Sequence, residues 1–265
     1  MNLQAPVPPA NRPPRIEVIG VTGMPEITEG DRLGGMIVSA AEGQGTPVET
    51  DDLLVVTQKI VSKAEGRTVD LGDVEPSESA QKLAEETGRD PRMVELVLRE
   101  SRAIVKTDTR RGIIVTETKH GFVCANAGID TSNVPGDEIV SLLPERPDES
   151  AARIREQVSE ELPGVTVAVI ISDTFGRPWR EGHVNFAIGV AGINPIKDYR
   201  GTPDAYGEIL RVTSIAVADE LASVGELVSA KAIGVPVAIV RGYGYEQGPD
   251  GVGALLRNRS MDLFR

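Results

Sequence analysis

Apolar and polar positions alternate at strand period over Ile16-Glu-Val-Ile19, and this marks the start of the folded body. Asp52-Leu-Leu-Val-Val-Thr57 predicts a second strand. A helix is expected after Pro76-Ser77 and ends at Gly88. The next takes Asp90 as N-cap and Pro91 at its first position, where the missing proline N–H would be unpaired anyway. Gly112–Thr118 and Phe122–Ala125 read as a hairpin across Lys119-His120-Gly121. Asp148 is expected to cap an amphipathic helix running to about Glu161. Val165–Ser172 is continuously apolar, as a strand buried on both faces requires. Residues from about Ala205 to Ser229 follow helical spacing, with Ile209, Val212, Ile215, Ala216 and Leu221 on one face. Val235–Arg241 predicts a last central strand, opening into Gly-Tyr-Gly-Tyr.

Strands and helices mix without strict βαβ alternation, and no internal repeat is present. The fold class expected is therefore mixed α/β (α+β) rather than a Rossmann fold. Residues 1–15 hold Pro6, Pro8, Pro9, Pro13 and Pro14 and almost nothing to bury, so a disordered Pro-rich tail is expected there. Residues 16–265 are expected to form one domain, with a division into two lobes left open.

Composition changes this picture in three ways. Aromatic residues make up only 3%, so the core must be built from Val, Ile, Leu and Ala. The net charge of −12 argues against nucleic acid as a partner, which needs a basic face. It also means that phosphate or carboxylate substrates would have to be held by local Lys or Arg, or by a metal. Cys124 is the only cysteine, and His120 and His183 are the only histidines. That excludes a disulfide framework, a Cys-based zinc site and a His-rich metal centre. No signal-peptide pattern opens the chain, and no apolar run approaches the ~20 residues of a membrane span. A cytoplasmic location with no membrane partner is expected.

Four stretches could carry chemistry. Asn126-Ala-Gly-Ile-Asp130-Thr-Ser-Asn133 places a carboxylate and several hydroxyl or amide groups after a small-residue turn. Hard cations take such oxygens, though locally the pattern reads more simply as an Asx-type turn. Ile171-Ser-Asp173-Thr174-Phe-Gly176-Arg177 delivers Asp-Thr to the carboxyl end of a buried strand, where ligands collect in α/β proteins. Asp173 could bind a metal, with Thr174 adding an oxygen and Arg177 or Arg180 clamping an anion; equally, Asp173 could be a turn cap. Thr57-Gln-Lys59-Ile-Val-Ser-Lys63-Ala-Glu-Gly-Arg67 brings three cations to a strand exit. A solvated basic face is the commoner fate of such a run, but in so acidic a chain it reads as phosphate-binding charge. Gly182-His-Val-Asn-Phe-Ala-Ile-Gly189-Val-Ala-Gly192 is a small-residue stretch able to cradle phosphate, with no Walker or dinucleotide fingerprint anywhere in the chain. His183 reads more simply as structural, and Cys124 as a small buried hydrophobe.

Together and in order, these stretches resemble the coenzyme F420-0:L-glutamate ligase family, the gamma-glutamyl ligases of deazaflavin biosynthesis. The resemblance spans Glu17 to about Tyr243. It rests on Gly23-Met-Pro-Glu-Ile27 before Glu29-Gly-Asp31, Val61-Ser-Lys-Ala-Glu-Gly-Arg67, Asn126-Ala-Gly-Ile-Asp130 with Ser132-Asn133, and Ser172-Asp-Thr with Gly176-Arg177. It continues through Phe186-Ala-Ile-Gly189, Lys197-Asp198, Asp204-Ala-Tyr-Gly207, Ala218-Asp-Glu220 and Val240-Arg-Gly242.

What the resemblance implies is a ligase dependent on GTP and a divalent metal (Mg2+ or Mn2+, with K+ a further candidate). It would join L-glutamate to F420-0 through an acyl phosphate and extend a gamma-linked tail. The implied fold is the F420 gamma-glutamyl ligase-like one, as an intertwined homodimer. Met24, Pro25, Glu26, Ile27, Gln58, Lys59, Lys63 and Asn133 match nucleotide-binding positions, and Lys231 lies in the segment that closes over the nucleotide. Asp130 and Asp173 match ligands of one metal and Thr174 a ligand of a second; Asp130, Asp173 and Lys63 are the residues expected to carry catalysis. Some members have an acidic ligand where this chain has Lys231. Some also carry a further flavin-reductase-like domain, which is not expected here. A metal-dependent nucleotide phosphohydrolase and a non-catalytic nucleotide-binding module are the competing readings.

Overall fold

The computed structural model describes residues 13–132, 136, 138–230, 233–249 and 251–263. Most of the expected Pro-rich tail lies outside the described residues. In chain order the elements begin with β1 (Glu17–Val21), α1 (Leu33–Gly43), β2 (Leu53–Thr57), α2 (Gln58–Ala64) and β3 (Thr68–Asp70). There follow α3 (Glu78–Thr87), α4 (Pro91–Arg99), β4 (Ser101–Asp108), β5 (Ile113–Thr118), β6 (Val123–Ala125) and β7 (Ile139–Ser141). The chain continues with α5 (Pro147–Glu161), β8 (Ala168–Arg177), β9 (Arg180–Ala191), β10 (Lys197–Asp198), β11 (Ser214–Ile215), α6 (Val217–Ser229) and β12 (Val237–Arg241). The class is mixed α/β, as the pattern predicts.

The main sheet runs β1-β12-β2-β8-β9. Only β2 and β8 lie parallel; the other neighbours are antiparallel. Strand side chains alternate between faces, and both faces are covered here, which is why β2 and β8 read as unbroken apolar runs. Leu54, Val56, Val169 and Ile171 pack against α1 and α5. Leu53, Val55, Ala168 and Ile170 pack against α6 on the opposite face. α6 approaches closely because Gly225 faces the sheet: a Cβ there would stand 2.7 Å from Val55 Cγ1.

A second layer holds α3, α4 and the three-stranded sheet β4-β5-β6, around Ala80, Ala84, Val94, Val97, Ile114 and Ala127. Both caps read from the sequence here are present: Ser77 and Asp90 accept backbone N–H groups at the starts of α3 and α4. Glu95 of α4 reaches back to accept from the Ser77 amide at 3.0 Å and its hydroxyl at 2.6 Å, tying the two helices together. The neighbouring strands β2 and β12 are tied at their ends by Asp52, which is 1% exposed and accepts from Arg241 Nε at 2.8 Å and Nη2 at 2.7 Å.

Several expectations are corrected. The helix expected over 205–229 begins only at Val217. Before it, Asp204 turns the chain by accepting from the amides of Tyr206 and Glu208, and Leu210 and Thr202 pair as backbone. The helical spacing there marks no buried face, because Val212 is 87% exposed and Tyr206 95%. Asp148 sits inside the first turn of α5 and caps nothing on it; its carboxylate accepts instead from the amides of Val190 and Val252. The strand expected from Val165 starts at Ala168 and runs on to Arg177. The glycine-rich stretch 182–192 is not a phosphate loop but most of β9. Gly189 is there for packing, since a Cβ would meet the Pro147 carbonyl oxygen at 2.4 Å. β8 and β9 form a long hairpin whose turn carries Trp179, at φ 63° and 86% exposed. Among the described residues no helix is long and apolar enough to cross a membrane.

Candidate functional site

The carboxyl end of β2 stands beside the middle of the parallel strand β8, with Thr57 opposite Ser172 in register, so Asp173 and Thr174 lie within β8 and not at its carboxyl end as expected. A cavity of about 640 Å³ opens there. Three segments converge on it. β2 runs directly into α2, which carries Gln58, Lys59 and Lys63 on its wall; β8 brings Ser172, Asp173 and Thr174; and the loop after β1 brings Met24, Pro25, Glu26 and Ile27. Asp130 completes the wall from the turn after β6. Ten of the twelve residues named from the sequence therefore meet in one place, since Asn133 and Lys231 lie outside the described residues.

The turn that delivers Asp130 is unusual backbone. Asn126 and Ala127 are both left-handed, at φ 51° and 54°, a conformation that costs about 1–3 kcal/mol per residue without glycine. Asp130 is then held by backbone pairing with Ser141 in both directions. Its carboxylate accepts from the Ser132 amide at 2.8 Å and pairs with Lys59 at 2.9 Å. Burial pushes the Asp130 carboxyl upward, but the hydrogen bonds from Lys59 and Ser132 outweigh it and leave the group below its ordinary value. Lys63 pairs with Glu26 at 2.5 Å. The local Asx turn read from the sequence is present, and the same carboxylate lines the cavity.

Among the described residues, two that line the cavity each carry a buried polar atom without a hydrogen-bond partner: Gln58 Nε2 and Ser172 Oγ. Gln58 is 1% exposed, and its carbonyl oxygen is anchored by the Ser62 hydroxyl at 2.7 Å. A buried amide N–H2 without an acceptor is costly.

The donor set suits a hard cation. Asp130, Asp173 and Thr174 offer carboxylate and hydroxyl oxygens, the ligands Mg2+ and Mn2+ take. Among the described residues no cluster of three His, Cys, Asp or Glu forms a closed metal cage.

The model of the F420-0:gamma-glutamyl ligase family matches residues 22–242, which carry all of this wall. The chain belongs to that family. Curated relatives agree along nearly the whole length. A coenzyme F420:L-glutamate ligase of Methanothermobacter thermautotrophicus is 48% identical over 94% of this chain and 99% of its own. Those of Methanopyrus kandleri and Methanocaldococcus jannaschii are 44% and 41% identical, over 91% and 95% of this chain and 94% and 97% of theirs.

As an F420-0:gamma-glutamyl ligase family member, the chain also shows which sequence candidates stand apart from the cavity. Arg67 is a structural cation, donating to the Leu143 carbonyl and paired with Glu100. Arg177 donates to the Glu181 carbonyl, and Arg180 and His183 lie exposed on the β8–β9 hairpin. Cys124 is buried, its thiol pushed up to about 12 by burial first and by the Asp173 charge second, so it is no nucleophile. Of the further cavity residues Ser172, Asn185, Glu226 and Ser229, sequence reasoning missed Glu226 altogether and named the other three only as parts of longer stretches, Ser229 opening the segment Ser229–Val235 that the resemblance places over the nucleotide. One signal was present: Asn185 interrupts an apolar strand segment between Val184 and Phe186, and a buried amide in such a run needs partners.

Proposed function

We propose that this chain is a GTP- and divalent-metal-dependent ligase that joins L-glutamate to F420-0 and then extends a gamma-linked glutamate chain. The observation that carries it is the convergence of Lys59 and Lys63 with Asp130, Asp173 and Thr174 on one cavity of about 640 Å³, large enough for a nucleotide.

A carboxylate is a poor acyl donor, so the acceptor is first phosphorylated. The γ-phosphoryl group passes from GTP to the carboxylate oxygen of F420-0, leaving GDP and an acyl phosphate. The glutamate amine then attacks the acyl carbon, the C–O bond to phosphate breaks, the amine gives up a proton, and phosphate leaves. Catalysis of such transfers is mostly positioning and charge neutralisation. Divalent cations, one on Asp130 and Asp173 and a second on Thr174, would supply part of that neutralisation when bound. Lys59 and Lys63 supply the rest by exchanging their present carboxylate partners for phosphate oxygens, and Gln58 Nε2 offers a further donor. The protein is proposed to act as a homodimer, which light scattering on the purified chain tests directly.

The chemical test is mass spectrometry of the purified protein incubated with F420-0, L-glutamate, GTP and Mn2+. Deazaflavin heavier by one or more glutamyl units, formed only with nucleotide and metal present, is the expected result. Phosphate release with unchanged deazaflavin mass would instead mark a phosphohydrolase, and nucleotide binding without turnover a binding module.

A further inference from the structure

β8 is joined to α6 by a three-residue hydrogen-bond chain inside the cavity wall. Thr174 Oγ1 donates to Asn185 Oδ1 at 2.8 Å, and Asn185 Nδ2 donates to Glu226 Oε2 at 3.0 Å. All three residues line the cavity, and Asn185 is 3% exposed. α6 grips Asn185 twice, because Ser223 Oγ also donates to its backbone carbonyl at 2.7 Å.

The direction of this chain is dictated from the Glu226 end. An ionised carboxylate only accepts, so Asn185 must turn its N–H2 toward Glu226. Its carbonyl oxygen is then left for Thr174, whose single hydroxyl hydrogen is committed to that bond. What Thr174 has left for the cavity is lone pairs. A hydroxyl alone donates or accepts as the ligand asks; this one is set to accept, and therefore to meet an electropositive group. Replacing the acceptor-only end would let the Asn185 amide lie either way round, and the hydroxyl with it.

We propose that Glu226 and Asn185 are positioning residues that hold Thr174 as an oxygen donor to a divalent cation in the cavity. This rests on the metal-dependent reading above. Outer-sphere partners of this kind typically change metal affinity by ~10–100-fold.

The test titrates Mn2+ alone into the purified protein and reads free Mn2+ by electron paramagnetic resonance, for wild type, Thr174→Val, Glu226→Gln and the double variant. Glu226→Gln is nearly isosteric at a half-buried position, and circular dichroism checks its fold. Each single variant should weaken Mn2+ binding by about 10-fold. The double variant should be no worse than Thr174→Val, because Glu226 acts through that hydroxyl. Thr174→Ser, which keeps the hydroxyl, and Glu226→Asp, which keeps an acceptor-only end, should both retain more affinity than their disruptive counterparts. Unchanged Mn2+ affinity in Glu226→Gln would overturn the relay. So would multiplying losses in the double variant, which mean that the carboxylate attracts the cation directly. Absence of Mn2+ binding by the wild type would overturn it too. Wild-type protein that binds Mn2+ yet leaves F420-0 unmodified would refute the ligase reading and leave the relay standing.

Discussion

At the scale of single residues, Asp130 and Asp173 are the acidic groups whose loss should matter most to chemistry. Asp130→Asn or Asp173→Asn is expected to lower GTP-dependent glutamylation at least about a hundredfold, since metal-assisted charge stabilisation is worth several kcal/mol. Product mass and phosphate release measure this, with a thermal melt to confirm the fold; full activity in both variants would sink the metal assignment. Cys124 makes the opposite case. With its thiol pushed up to about 12, it should resist iodoacetamide in the native protein at pH 8 and react on unfolding, and Cys124→Ser should keep activity. Of the charged cavity residues, Lys59 and Lys63 stood out locally as cations at a strand exit in an acidic chain, whereas Asp130 read locally as an Asx turn and was named, with Asp173, through the family resemblance. Asn185 and Glu226 were not legible. Their meaning lies in one another, across 41 positions of chain, and no local pattern encodes that pairing.

Elements were legible where the periodicity and the end signals agreed. α3 and α4 follow their Ser77 and Asp90 caps, and β5 and β6 follow the hairpin pattern. α1 was hidden because Gly34 and Gly35 weaken its local helical signal, although the helix is held by packing of Ile37, Val38 and Ala41 on the sheet. The spacing over 205–216 misled for the converse reason: a helical period without a partner surface folds no helix. The α3–α4 junction also makes a pH prediction. Hydrogen bonds from the Ser77 hydroxyl and amide, against some burial, hold the Glu95 carboxyl at about 2, below its ordinary 4.5. Its folded value is depressed, so the stability it confers is whole above about 4.5 and is lost as pH falls through about 2. Glu95→Gln should therefore flatten the decline of melting temperature across that acid range, and an unchanged slope would refute the role of this carboxylate.

For the molecule as a whole, two inner strands of the sheet are pinned together by a pair drawn from distant parts of the chain, Asp52 before β2 and Arg241 ending β12. Arg241→Met would strand a carboxylate that is 1% exposed, and unfolding in urea should show a loss of about 3–5 kcal/mol. A loss within about 0.5 kcal/mol, the range of an ordinary surface substitution, would show that the pair does not secure the sheet. The mixed class and the convergence of the segments on one family were readable from composition and motif order. The strand order β1-β12-β2-β8-β9 was not, because its three central strands β12, β2 and β8 are interchangeable apolar runs until they pair. The turn of the β8–β9 hairpin has a further consequence. Trp179 is the chain's only tryptophan, so indole emission reports on that turn and not on the apolar interior. Native fluorescence should already resemble that of a water-exposed indole, and denaturation followed at that wavelength will register little while the core comes apart. An aromatic introduced in the interior would be needed to follow the core optically; the native indole is instead a built-in reporter for whatever closes over the hairpin tip.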